Sequence, residues 1–227
     1  ASPEPSAVQQ PFTLTATFTP PANASASLGG TVSFSIDTNA VGSAPLVSNT
    51  ASLNITTQLT RGTHRIFATW SGDSNYSGVF LNGFHAVTGY PVALTFTSSG
   101  NPLVFGQQLR LLYTLLNATS APAGSPQPSG TLTITDNGTN LLAPITVTNG
   151  VGGSTFFASG LTAAGQHNLV ASYSGDSLHE PASATIVENI TPISSATAVQ
   201  TSPNPSVYGQ SITISANVAI PIGNSLG

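Results

Sequence analysis

An all-β fold of tandem sandwich domains is predicted by three observations in this 227-residue sequence. The first is an internal repeat. Ser71-Gly72-Asp73 recurs as Ser174-Gly175-Asp176, and Gly62-Thr63-His64-Arg65-Ile66-Phe67-Ala68-Thr69-Trp70 is matched by Gly165-Gln166-His167-Asn168-Leu169-Val170-Ala171-Ser172-Tyr173, always 103 positions later. A period of that size sets the architecture before any finer reading. The second is strict alternation of apolar and polar residues in short runs, the pattern of a half-buried strand. The third is the density of Gly, Pro and β-branched residues, which leaves no stretch able to sustain a helical period.

In the first unit the strands are expected at Phe12, Leu14, Ala16 and Phe18; at Val32, Phe34 and Ile36; at Leu53 and Ile55; at His64, Ile66, Ala68 and Trp70; and within Val79 to Val87. The second unit follows the same plan. Leu109, Leu111, Tyr113 and Leu115 alternate after Gly106-Gln107-Gln108, and a loop from Asn117 to Ser129 leads to Thr131 to Thr135, with Leu132 and Ile134 inward. Asp136-Asn137-Gly138 turns the chain, and Asn149-Gly150 joins Ile145 and Val147 to Val151 to Phe157 as a hairpin. His167 to Tyr173 and a last strand through Ala184, Ile186 and Glu188 complete the unit. About seven short strands with turn signals roughly every 8–12 residues indicate an immunoglobulin-like sandwich. The expected division is residues 1–89, residues 90–192 and an incomplete third repeat over residues 193–227, which is too short to close a sandwich by itself. The linkers Gly89 to Pro91 and Thr191 to Pro192 are short and stiffened by proline, and Tyr90 is placed to wedge between domains.

Composition removes several classes of function. Charged residues are 4% of the chain, against roughly 25% in ordinary soluble proteins. Three Arg and no Lys offer no cluster to grip a phosphate backbone, so no nucleic-acid partner is expected. Cysteine is absent, which excludes disulfides and thiolate sites. No apolar run is long enough to span a bilayer, and residues 1–10 lack the basic and apolar regions of a signal peptide, so a mature fragment is expected. The near absence of charge also leaves sheet edges without their usual protection against pairing.

Asn-Pro-x-Val-x-Gly-Gln opening a unit (Asn204 to Gln210), Gly-Thr-x-x-Ile within it (Gly130 to Ile134), Ala-Gly-x-His before an apolar strand (Ala164 to His167) and Tyr-Ser-Gly-Asp-Ser near its end (Tyr173 to Ser177) resemble the bacterial Ig-like domain repeats of large secreted and surface proteins. Unit one departs from the pattern, with Gln9 where the others have Gly106 and Gly209 and with Trp70 in place of Tyr173. The resemblance implies an extracellular spacer, stalk or adhesive module with no catalytic residues to carry over.

Candidate sites are few. Asp73 and Asp176 are the best metal candidates, but calcium needs several converging oxygens and each has only Ser and Gly beside it, so a turn is the expected role. His64 and His167 lie a domain apart without a second ligand at metal spacing and are expected to cap the sandwich ends; His85 and His179 give no signal. No nucleophile elbow or carboxylate pair supports catalysis, and no cofactor is expected. Among the Asn-x-Ser/Thr sequons, Asn117 and Asn137 stand beside predicted turns and are possible glycan acceptors. Trp70 and Tyr173 share an inward strand position and are expected in the core.

The expected function is structural: a rod, stalk or filament whose last repeat adds as a strand to the next subunit through Gln210, Ile212, Ile214, Ala216 and Val218. The rival is an adhesin module that binds a glycan or host protein through the loops Thr19 to Gly29 and Asn117 to Ser129.

Overall fold

The computed structural model describes residues 1–20, 22, 28–157 and 161–220, and no helix occurs among them. The first sandwich contains β1 (Ser6–Ala7), β2 (Phe12–Thr17), β3 (Thr31–Ile36), β4 (Asn39–Pro45), β5 (Thr50–Ile55), β6 (Gly62–Gly72) and β7 (Ser77–Thr88). A sheet in the order β1-β7-β6-β3-β4 faces the pair β2-β5. The second contains β8 (Val92–Ser98), β9 (Leu103–Val104), β10 (Leu109–Asn117), β11 (Gly130–Asp136), β12 (Thr139–Asn140), β13 (Ile145–Val147), β14 (Val151–Phe157), β15 (Gly165–Tyr173) and β16 (Ala182–Thr191). Here β12-β11-β15-β16-β9 faces β14-β10-β8, with β13 also paired to β11. The remaining described strands, β17 (Ala196–Ser202) and β18 (Thr213–Ala219), form an antiparallel hairpin.

Strand alternation places the cores where it predicts them. Phe12, Leu14, Val32, Phe34, Ile36, Ile55 and Trp70 are buried in the first, and Leu109, Leu111, Leu115, Leu132, Ile134, Leu169 and Tyr173 in the second. Each fully buried aliphatic side chain removes apolar surface worth about 1.5–3 kcal/mol from water. The two cores are separate, and each is bounded by its own pair of sheets.

Six strands escaped the sequence reading: β1, β4, β8, β9, β12 and β17. β1 and β9 span two residues each and pair in parallel with the last strand of their own unit, at Val87 and Thr88 or at Ile190 and Thr191. So short an element carries no period to detect. β8 follows the linker that ends at Pro91 and is not assigned from sequence, yet it is a full strand that pairs with β10 from Val92 opposite Asn117 to Ser98 opposite Leu111. The strand expected over Gln210 to Ala219 begins at Thr213, because Gln210 instead closes a turn. Its N–H donates to Val207 O, and its side-chain oxygen accepts from the Val207 N–H. Gln10 and Gln107 make the same clasp on Ala7 and Val104.

Candidate functional site

The duplicated Ser-Gly-Asp is a clamp on the opposite sheet connection. Asp73 accepts from the Asn75 and Tyr76 N–H groups through Oδ1 and from Gly29 N–H through Oδ2. Asp176 accepts from Leu178 and His179 N–H through Oδ1 and from the Ser129 N–H and hydroxyl through Oδ2. The same backbone residue is held from its other side by the aromatic three positions before the aspartate. Trp70 Nε1 donates to Gly29 O at 2.9 Å, and Tyr173 OH donates to Ser129 O. Gly30 and Gly130 follow with φ of 92° and 112°, where a side chain is strained.

Charge follows from these contacts. The Gly29 N–H and the turn amides of Asn75 and Tyr76 hold Asp73 below its ordinary pKa. At Asp176 burial works the other way, but the Leu178 and Ser129 N–H groups, the Ser129 hydroxyl and His179 outweigh it and hold the carboxyl well below the usual range. Burial, followed by the neighbouring Asp176 charge, pushes the Tyr173 phenol up to about 12. Among the described residues no group of three or more His, Asp and Glu is placed to hold a metal ion. The oxygens that such an ion would need from Asp73 and Asp176 already accept from backbone amides.

The histidines are all engaged. His64 sets Nδ1 on Asp37 Oδ2 and Nε2 on Thr60 O, while His167 sets them on Asp136 Oδ2 and Ala163 O. Burial disfavours a charged His64 ring, but the Asp37 carboxylate and the Thr60 carbonyl outweigh it and raise its pKa. His85, silent in the sequence, stacks on Phe12 and bonds Glu4 and Ser6. The position matching His85 in the second sandwich is Glu188, which is fully buried with neither carboxylate oxygen hydrogen-bonded.

His179, equally silent, belongs to the joint between the sandwiches. Its Nδ1 bonds Asp176, its Nε2 meets Pro126 O, and its ring lies edge-on to Tyr90. Tyr90 is 5% exposed and packs with Val8 and Val87, against Leu59, Ala121 and Leu178. Around this apolar plug the backbones interlock: Tyr90 N–H to Leu178 O, Glu180 N–H to Tyr90 O and Arg61 N–H to Ser177 O. The Arg61 guanidinium meets Asp176 O and, at 3.5 Å, Glu180, whose other oxygen accepts from Gly89 N–H. Neither Arg61 nor Glu180 carries a motif, and 119 residues separate them, so no local signal marks the pair. Arg61→Ala is expected to loosen this joint with little loss of stability, because the ion pair is partly exposed. Small-angle scattering should show a broader spread of interdomain distances while the melting temperatures stay within a few degrees.

Asn117 directs its side-chain amide at Ser125 O and Pro126 O, whereas Asn137 is exposed at a turn with φ of 46°. The loop Asn117 to Ser129 is folded onto the joint through Ala121, Pro126 and the Ala118 N–H to Pro91 O bond. Of the loop Thr19 to Gly29, residues 21 and 23–27 lie outside the described residues.

Two strand edges complete the picture. β10 is paired on both sides, by β8 and β14. Its counterpart β2 is paired by β5, and Ser2 bridges Thr13 through its N–H and C=O. The third counterpart, β18, is paired by β17 and, among the described residues, bears no strand in the β14 position. Thr197, Val199 and Thr201 stand opposite Val218, Ala216 and Ile214, which puts Val199, Ile214 and Val218 on one exposed face.

Paired antiparallel sheets, cores of alternating residues and one repeated clamp define a chain of Ig-like sandwich modules, a class that is generally non-catalytic and typical of extracellular proteins. The sequence model of the bacterial Ig-like domain (group 3) matches residues 1–79 and 96–191, and the chain belongs to that family. A solved structure described as Clostridium thermocellum CbhA fibronectin(III)-like modules is similar at 12% identity, covering 84% of this chain and 92% of that one, with a TM-score of 0.35. No curated protein matches the chain.

Proposed function

We propose that this chain is a non-enzymatic structural segment of an extracellular rod or stalk, a run of Ig-like sandwiches held to one another by interlocked joints. The observation that carries the reading is the joint at Tyr90, where an apolar plug and three backbone hydrogen bonds hold one sandwich against the next. The interlocked joint supports a rod of fixed geometry.

Electron microscopy of the whole chain tests this. The expected result is two sandwiches held at one distance and angle, a geometry that spreads in a Tyr90→Ala variant whose two cores melt as before. Wild-type sandwiches that hinge freely would sink the rod and leave a flexible tether.

A further inference from the structure

The outer face of the first sandwich carries aromatic rings that the second does not. Along β7, Phe80, Asn82 and Phe84 point outward, and along β6 so do Arg65, Phe67 and Thr69, because Ile66, Ala68 and Trp70 turn toward the core. The strand register sets Phe67 opposite Asn82, Phe84 opposite Arg65 and Phe80 opposite Thr69. The Phe67 and Phe80 rings lie 5.5 Å apart at 32°, and the Arg65 guanidinium stands 5.2 Å from the Phe67 centroid. Phe80 is 55% exposed and Phe84 is 67% exposed. From Phe80 to Phe84 the strip runs about 14 Å along the strand.

The fold does not require these rings. The equivalent outward positions of β15 and β16 hold Asn168, Val170 and Ser172 opposite Val187, Thr185 and Ser183, and that sandwich closes as well. An exposed phenyl ring gains nothing from folding, so two of them beside the half-buried Phe67 call for a ligand.

We propose that this strip is a binding platform for a neutral polysaccharide. A sugar ring has an apolar C–H face and a hydroxyl rim, and the strip offers both complements. Phe80, Phe67 and Phe84 give stacking surfaces, while between them the side chain of Asn82 offers an amide donor and acceptor. Thr69 and Ser35, which stands opposite Phe67, add hydroxyls along one side. A second protein fits less well: three fully buried rings bring about 450–750 Å² to one side, short of the roughly 800 Å² per partner of a standard protein interface. One arginine is too little positive charge for a nucleic acid. The platform lies on a sheet face away from the joint at Tyr90 and stands or falls independently of it.

Affinity electrophoresis of the whole chain in gels containing soluble mixed-linkage β-glucan, hydroxyethylcellulose, neutral arabinoxylan or galactomannan tests the platform. At least one gel should retard the protein relative to a plain gel, and Phe80→Ala with Phe84→Ala should weaken that retardation roughly tenfold or more. Asn82→Ala should weaken it less. Both rings are exposed, so an unchanged thermal melt shows that the variant is folded. No retardation in any gel overturns the platform, as does equal retardation of the double variant. If the double variant instead changes the sedimentation coefficient and no gel responds, the strip is a contact between copies and the glycan assignment is wrong.

Discussion

Trp70→Ala will unfold the first sandwich under conditions in which the second remains folded, at a cost of about 3–5 kcal/mol. Trp70 is the largest side chain of its core, packs at 5.5 Å against Phe18 and ties Gly29 O through its indole N–H. Truncation leaves a cavity and an unpaired carbonyl at once. Because the two cores share no buried residue, calorimetry should resolve two transitions, with only the first displaced to lower temperature. Trp70→Tyr should recover part of the loss, since Tyr173 does the same work in the second sandwich by donating to Ser129 O. A single transition that moves as a whole would show that the joint couples the two domains more tightly than their separate cores suggest.

Asp176→Ala is expected to destabilise the second sandwich by about 2–3 kcal/mol, because it removes charge-assisted bonds from the Ser129, Leu178 and His179 amides together. The pH dependence has a defined sign. The folded carboxyl titrates well below its unfolded value of about 3.9, so its contribution is complete above that value and is lost as pH falls through the folded pKa. Acid titration of wild type should show the second transition weakening below about pH 4, and the variant should lack that component. Asp73→Ala is the control: that carboxylate accepts from three backbone amides but lacks the hydroxyl and histidine partners of Asp176, and should matter less. Equal effects at the two sites would sink the account of Asp176 as the more heavily bonded member of the pair.

The sequence by itself determined the architecture of each sandwich. Period-two alternation located β2, β3, β10, β11 and β15, and its parity named Trp70 and Tyr173 as core, because burying one face of a strand imposes a constraint that repeats every second residue. The Ser-Gly-Asp repeat marked the turns in the same way, since a bend needs glycine and a local acceptor. Only the tertiary structure decided what the turns hold. Asp73 reaches Gly29 across 44 positions and Asp176 reaches Ser129 across 47, and no local pattern encodes the partner of a long-range hydrogen bond. The joint at Arg61, Tyr90, His179 and Glu180 stayed hidden for the same reason. The strip at Phe67, Phe80 and Phe84 reads in sequence as ordinary strand residues, and it becomes a surface only when β6 and β7 pair and the register sets the rings side by side.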